Sequence, residues 1–128
     1  MKHRTDIAFP MSEYERRLTE VRERMRQNEL DALLVTTPEN ITYLTGFESP
    51  GHYWFQALVV PLDGEPFTLS RQLEVSGVEA YSWIEHNLGY NDDDDQMCVL
   101  AARLTDFGLP RATLGYEQEC WFFTATQQ

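Results

Sequence analysis

No apolar run of eighteen residues occurs in this chain, and its first residues, "MKHRTDIAF", lack the continuous apolar segment and small-residue cleavage site of a secretory leader. Neither a membrane span nor a leader is expected, and the sequence reads as a cytoplasmic protein. Basic charge is scarce beyond the first 27 residues. Those 27 carry seven Lys or Arg against five Asp or Glu, whereas the other 101 carry three against sixteen, a net of −13. A body of that charge repels phosphates, so neither nucleic acid nor an anionic membrane surface is expected as a partner. Cysteine is limited to Cys98 and Cys120. One falls in an apolar helical pattern and the other beside an aromatic cluster, which suits reduced, buried thiols better than a disulfide.

The usual chemical signatures are missing as well. His3, His52 and His86 are scattered, with no i, i+4 pair and no neighbouring cysteine, so no zinc pattern is present. There is no G-x-G-x-x-G or Walker loop, and Ser49 and Ser70 lack a G-x-S-x-G elbow. The four consecutive aspartates Asp92 to Asp95 do not converge on a helix, where neighbours point roughly 100° apart, and they lack the alternate spacing of a calcium loop. Their expected role is to cap a helix that starts nearby and to solvate its loop. No catalytic residue, metal ligand or cofactor site is expected in this chain.

What is present is the grammar of one α/β domain. The 128 residues, 42% of them hydrophobic, can bury a single core. In "PMSEYERRLTEVRERMRQN", Met11, Tyr14, Leu18, Val21 and Met25 recur every three or four positions and make the apolar stripe of a helix. Ser12 and Glu15 fit a capping box at its start, and the arginines read as a solvated face. "LDALLVTT" reads as a strand buried on both faces. Pro38 then opens a short helix, "PENITYLTG", with Ile41 and Leu44 inward, Asn40, Thr42 and Thr45 tying down loops, and Gly46 supplying the positive φ that stops it.

Alternation in "HYWFQALVV", followed by the Asp63-Gly64 turn and "PFTLS", predicts an antiparallel hairpin. "RQLEVSGV" predicts a brief helix and "EAYSWIEH" a strand. "NDDDDQMCVLAARLTDFG" predicts a helix with Met97, Leu100, Ala101, Leu104 and Phe107 on one face, ended by Gly108. "RATLGYE" predicts a last strand, and "CWFFTATQQ" the beginning of a further helix.

The remaining candidate for function is the aromatic and polar patch "FESPGHYWFQ". There Phe47, His52, Tyr53 and Trp54 could line a small-molecule or peptide pocket or a subunit interface, with His52 and Trp54 the expected exposed pair.

Taken in order, the amphipathic helix, "LDALLVTTPENITYLTGF", the strand "ALVVPLDGEPF" and the terminal "LGYE" resemble the N-terminal domain of the creatinase, prolidase and Xaa-Pro aminopeptidase superfamily. "PENITYLTGF" with its upstream "DALLVT" is the most specific part, and Gly115-Tyr116-Glu117 matches a glycine, variable residue, glutamate pattern near the end of that domain. The resemblance covers almost the whole chain, residues 1–128. It implies a three-layer mixed sheet flanked by helices, ribonuclease H-like in layout. It also implies a missing C-terminal pita-bread domain that holds two divalent metal ions, so that this chain is an excised or truncated piece.

Members of the family use the domain for dimer contacts and to lend residues to the active site of the neighbouring subunit. Where creatinase carries an arginine that grips the substrate carboxylate, this sequence aligns Trp54. That replacement argues against creatine and for a peptide side chain or a cyclic, less anionic compound; ectoine-hydrolase-like and Xaa-Pro peptidase activities both stay open. A self-standing interaction or ligand-binding module of the same fold is the alternative from a different class. The net of −13 and the lack of basic patches speak against a ribonuclease H-like nuclease.

Overall fold

The computed structural model describes residues 1–51 and 53–128. Helix α1, Met11–Gln27, places Met11, Tyr14, Leu18 and Met25 against the core, as the spacing requires. It starts without the expected capping box. Pro10 occupies the cap position in extended conformation, its carbonyl accepts the Glu13 N–H, and no side chain caps the helix. Beginning one residue before Ser12 brings Met11 into the buried stripe, and proline's fixed φ is already suited to a helix start.

Strand β1, Ala32–Val35, is followed by helix α2, Pro38–Thr45. Ile41 and Leu44 point inward from α2, and Gly46, at φ +80°, ends it. A Cβ at Gly46 would also come within 2.8 Å of the Tyr14 hydroxyl, so conformation and space both require glycine.

Strands β2, Ala57–Pro61, and β3, Phe67–Arg71, form the antiparallel pair, joined through Gly64 at φ +113°. A short 3-10 turn leads into helix α3, Val75–Tyr81, and then strand β4, His86–Tyr90, lies parallel to β3. The strand expected over 79–86 is thus a helix end and a loop, with only His86 in a strand, at the start of β4. The Ser82 hydroxyl donates to the Val78 carbonyl and accepts from the Ile84 N–H, which terminates α3, and Trp83 and Ile84 enter the core from the loop. Trp83 Nε1 donates to the Leu44 carbonyl at 2.9 Å, so the buried indole keeps its hydrogen bond.

Helix α4, Gln96–Asp106, precedes strand β5, Leu114–Tyr116, which pairs parallel with β1. The sheet order is β4-β3-β2-β1-β5.

Alternation along β1 and β2 feeds both faces of this mixed sheet. Val35, Leu58 and Val60 join α1, α2, Trp83 and Ile84 on one side. Ala32, Leu34, Ala57 and Val59 join Phe67, Leu69, Tyr90, Leu100 and Phe123 on the other. Three layers result, as expected.

Residues after Glu117 form turns rather than the start of a helix, with Phe123 anchoring them in the second layer. Cys98 is exposed on the outer side of α4 and Cys120 is half-buried; neither is in a disulfide. The expectation of two buried thiols fails because Met97, Leu100 and Leu104 take the inner face of α4. Among the described residues no helix is long and apolar enough to cross a membrane.

Candidate functional site

The parallel pairing of β5 with β1 matches Leu34 with Tyr116, so the next residue, Glu117, arrives beside the segment that opens α2. One Glu117 carboxylate oxygen accepts the Thr36 and Thr37 N–H groups, each at 2.7 Å, and the Thr36 hydroxyl at 3.3 Å. The other accepts from Asn40 Nδ2. Burial pushes this carboxyl up, but the Asn40 amide and the two backbone N–H groups outweigh it and leave it below the usual glutamate value. Both threonine hydroxyls also lie 3.3 Å from Cys120 Sγ.

On the far side of α2, Thr42 Oγ1 donates to the Phe47 carbonyl at 2.8 Å, and Thr45 Oγ1 donates to Ile41 and accepts the Phe47 N–H. The polar groups of "PENITYLTGF" therefore serve as a structural joint between two strands and a loop. Asn40, Thr42 and Thr45 do what the sequence leads one to expect of them.

The aromatic patch lies elsewhere, after a turn in which Trp54 N–H donates to the Gly51 carbonyl. Trp54 is half exposed and stacks on the Arg71 guanidinium, 4.3 Å from the ring centroid. Arg71 is held by a two-point ion pair with Asp92, so the indole rests on a cation whose charge is already matched. Tyr53 and Trp121 are 87% and 93% exposed. Together with Phe55, Gln96 and Gln127 they border an open groove of about 400 Å³ whose lining, among the described residues, holds no carboxylate and no cation. Its surfaces offer flat apolar faces and neutral amides, which suit an uncharged or charge-delocalised group.

Of the four residues expected at a pocket or interface, the structure brings Tyr53 and Trp54 together on this groove. Phe47 is not there. It is 5% exposed and packs near Gly77 of α3, so within this chain it is a core residue and a correction to the sequence reading. His52 lies outside the described residues. The sequence reading missed Trp121, whose only signal was the aromatic cluster "CWFF", and Arg71 and Asp92, which are far apart in sequence and meet across β3 and the end of β4. It also missed Arg17. This side chain is 7% exposed rather than part of the solvated face, with its guanidinium against the rings of Phe9 and Tyr43.

The remaining aspartates behave as helix and loop groups. Asp95 accepts the Met97 and Cys98 N–H groups and caps α4, and Asp94 accepts the Asn91 N–H. Among the described residues no three His, Cys, Asp or Glu side chains come together in a way that could hold a metal ion.

A five-stranded mixed sheet of this order with helices on both faces defines a three-layer α/β domain. The chain belongs to the Creatinase/Prolidase N-terminal domain family, whose model matches residues 17–128. It is 30% identical over 128 residues to the ectoine hydrolase of Halomonas elongata, covering 93% of this chain and 32% of that protein. It is 31% identical to an uncharacterized hydrolase/peptidase of Sinorhizobium fredii, again over 93% of this chain and 33% of the relative. The chain therefore spans about a third of the length of these curated relatives.

Among solved structures, the N-terminal domain of Xaa-Pro dipeptidase from Lactobacillus brevis superposes with a TM-score of 0.71 at 25% identity, covering 79% of this chain and 75% of that one. The fold alone is shared with the creatinase/prolidase N-terminal domain of an X-Pro dipeptidase from Streptococcus pyogenes. There the TM-score is 0.72 at 23% identity, with 88% and 82% covered.

Proposed function

We propose that these residues form the accessory domain of a metal-dependent, cytoplasmic hydrolase of the Xaa-Pro dipeptidase or creatinase type. In this reading the domain catalyses nothing itself. It supplies one wall of a substrate pocket and a contact between the subunits of a homodimer. The two divalent metal ions and the groups that activate water would belong to a catalytic domain outside residues 1–128.

The observation that carries the reading is the exposed aromatic groove at Tyr53, Trp54 and Trp121. Large aromatic faces left open on a small domain are costly in water and pay off when a ligand or a partner surface covers them. Because the described residues of the groove lining are uncharged, it favours a peptide side chain or a cyclic compound over a strongly anionic one.

The test is steady-state kinetics on the polypeptide that joins residues 1–128 to the metal-binding domain. Trp54→Ala is expected to raise KM about tenfold with kcat within a factor of three, the signature of lost substrate binding, and light scattering is expected to report a dimer. An unchanged KM for both Trp54→Ala and Tyr53→Ala would remove the pocket role. Hydrolysis of Xaa-Pro dipeptides by residues 1–128 alone would remove the accessory role.

A further inference from the structure

A second groove, of about 640 Å³, opens between the N-terminal segment, α1, α2 and the end of α3. Its walls are aromatic, with Phe9, Tyr43 and Tyr81 exposed by 48%, 45% and 65%. These rings already show what they accept. The Arg17 guanidinium carbon lies 4.5 Å from the Phe9 centroid and 4.1 Å from that of Tyr43, while its Nη1 donates to the Tyr43 carbonyl at 2.6 Å.

The charges around the groove do not cancel. Arg17 is matched by Glu13 at 2.9 Å, a carboxyl that Arg16 and Arg17 together hold down at about 2, and Arg16 also pairs with Glu20. Asp6 is matched by Arg4. Glu39 and Glu48 also line the groove and are exposed, and among the described residues neither carboxylate has a partner. An excess of two negative charges is thus set among open aromatic faces, on a protein whose net charge is −11.

We propose that this groove binds a basic segment of a partner polypeptide, with arginine or lysine side chains lying on the Tyr43 and Tyr81 rings and paired with Glu39 and Glu48. A chain fits better than a free small cation because the two carboxylates flank the eight-residue helix α2, one in its first turn and one just beyond its end. At 1.5 Å per residue α2 itself is roughly 12 Å long, a length matched by residues three or four apart on an extended strand. A single guanidinium reaches one of them; two on one chain reach both. Cation–π contact and charge pairing are the forces involved, and because the two carboxylates are exposed the pairing weakens as salt rises.

Fluorescence anisotropy with a labelled peptide carrying two arginines four residues apart tests this on residues 1–128. The peptide is expected to bind, and replacing both arginines by citrulline, which keeps shape and removes charge, should weaken it about tenfold or more. The double variant Glu39→Gln, Glu48→Gln and the single variant Tyr81→Ala should each weaken it comparably; these side chains are exposed, and circular dichroism checks that the fold is kept. Equal binding of the citrulline peptide, or equal binding to both variants, would overturn the proposal. Displacement of the peptide by free arginine at equal concentration would likewise overturn it, in favour of a small-cation site.

Discussion

Glu117, the residue after β5, ties two backbone N–H groups and the Asn40 amide together at the entry to α2. Its loss therefore leaves the part-buried Thr36 and Thr37 N–H groups without an acceptor, which costs more than one average hydrogen bond. Glu117→Gln removes the charge and turns one acceptor into a donor facing other donors. It is expected to lower stability by about 1–3 kcal/mol in urea denaturation.

The sign of the pH effect follows. The folded carboxyl sits below its ordinary value, so its stabilisation is complete above the unfolded value of about 4.3 and disappears as the pH falls through the lower folded one. The acid arm of a stability profile should be shallower in Glu117→Gln than in the parent.

Tyr90 has the opposite sense. Burial, and then the charge of Asp92, push its hydroxyl up to about 12, with Arg71 partly opposing, and the hydroxyl donates to the Phe55 carbonyl at 2.6 Å. A raised value means the stabilisation is whole below the unfolded value of ~10 and is lost as the pH climbs through about 12. Stability measured between those limits should fall by about 2–3 kcal/mol. Tyr90→Phe, less stable at neutral pH by about 1 kcal/mol for the lost hydrogen bond, should show a flatter alkaline arm. Parallel alkaline arms in the two proteins would mean that Tyr90 does not titrate in this way.

At the scale of elements, α1 and α4 show what a sequence reveals of a helix start and what it conceals. Both have a plausible capping residue in the sequence, Ser12 and Asp95. In the structure Asp95 accepts two N–H groups while Ser12 lies inside the first turn, where its side chain caps nothing. Local pattern could not separate them, because the start of α1 is set by burial of Met11 against the core, a tertiary effect. Asp95→Ala is thus expected to lower the melting temperature by roughly 2–6 °C and Ser12→Ala to leave it unchanged.

The same reasoning explains the strand expected at "EAYSWIEH". Its apolar residues Trp83 and Ile84 are buried as expected of a strand, yet they reach the core from a loop, and periodicity alone cannot distinguish the two routes. Helix α2 was legible in full because proline at one end and glycine at the other act through the backbone itself.

The aromatic groove was legible only in part. Tyr53 and Trp54 are neighbours in sequence, but Trp121 and the Arg71–Asp92 pair that supports Trp54 reach the groove from elements distant in sequence.

At the scale of the molecule, the continuous apolar character of β1 is the sequence feature that announces layers on both faces; β2 reads as an alternating strand, and the structure shares both strands between two cores. Leu18 on α1 and Leu100 on α4 lie in opposite layers, 7% and 6% exposed. Helices on the two faces of one sheet are separated by roughly 20 Å, so the cavities left by Leu18→Ala and Leu100→Ala share no neighbours.

Each substitution should cost about 2–5 kcal/mol. The double variant should lose the sum within about 0.5 kcal/mol. Because the intervening sheet belongs to both cores, fluorescence and circular dichroism should report the same single transition in all four proteins. Two separable transitions, or a Leu100→Ala variant that loosens α4 while Trp83 in the other layer keeps its native emission, would show that the layers unfold independently. The sheet would then be a shared boundary between two weak cores, and the exposed groove beside α4 could loosen without disturbing the joint at α2.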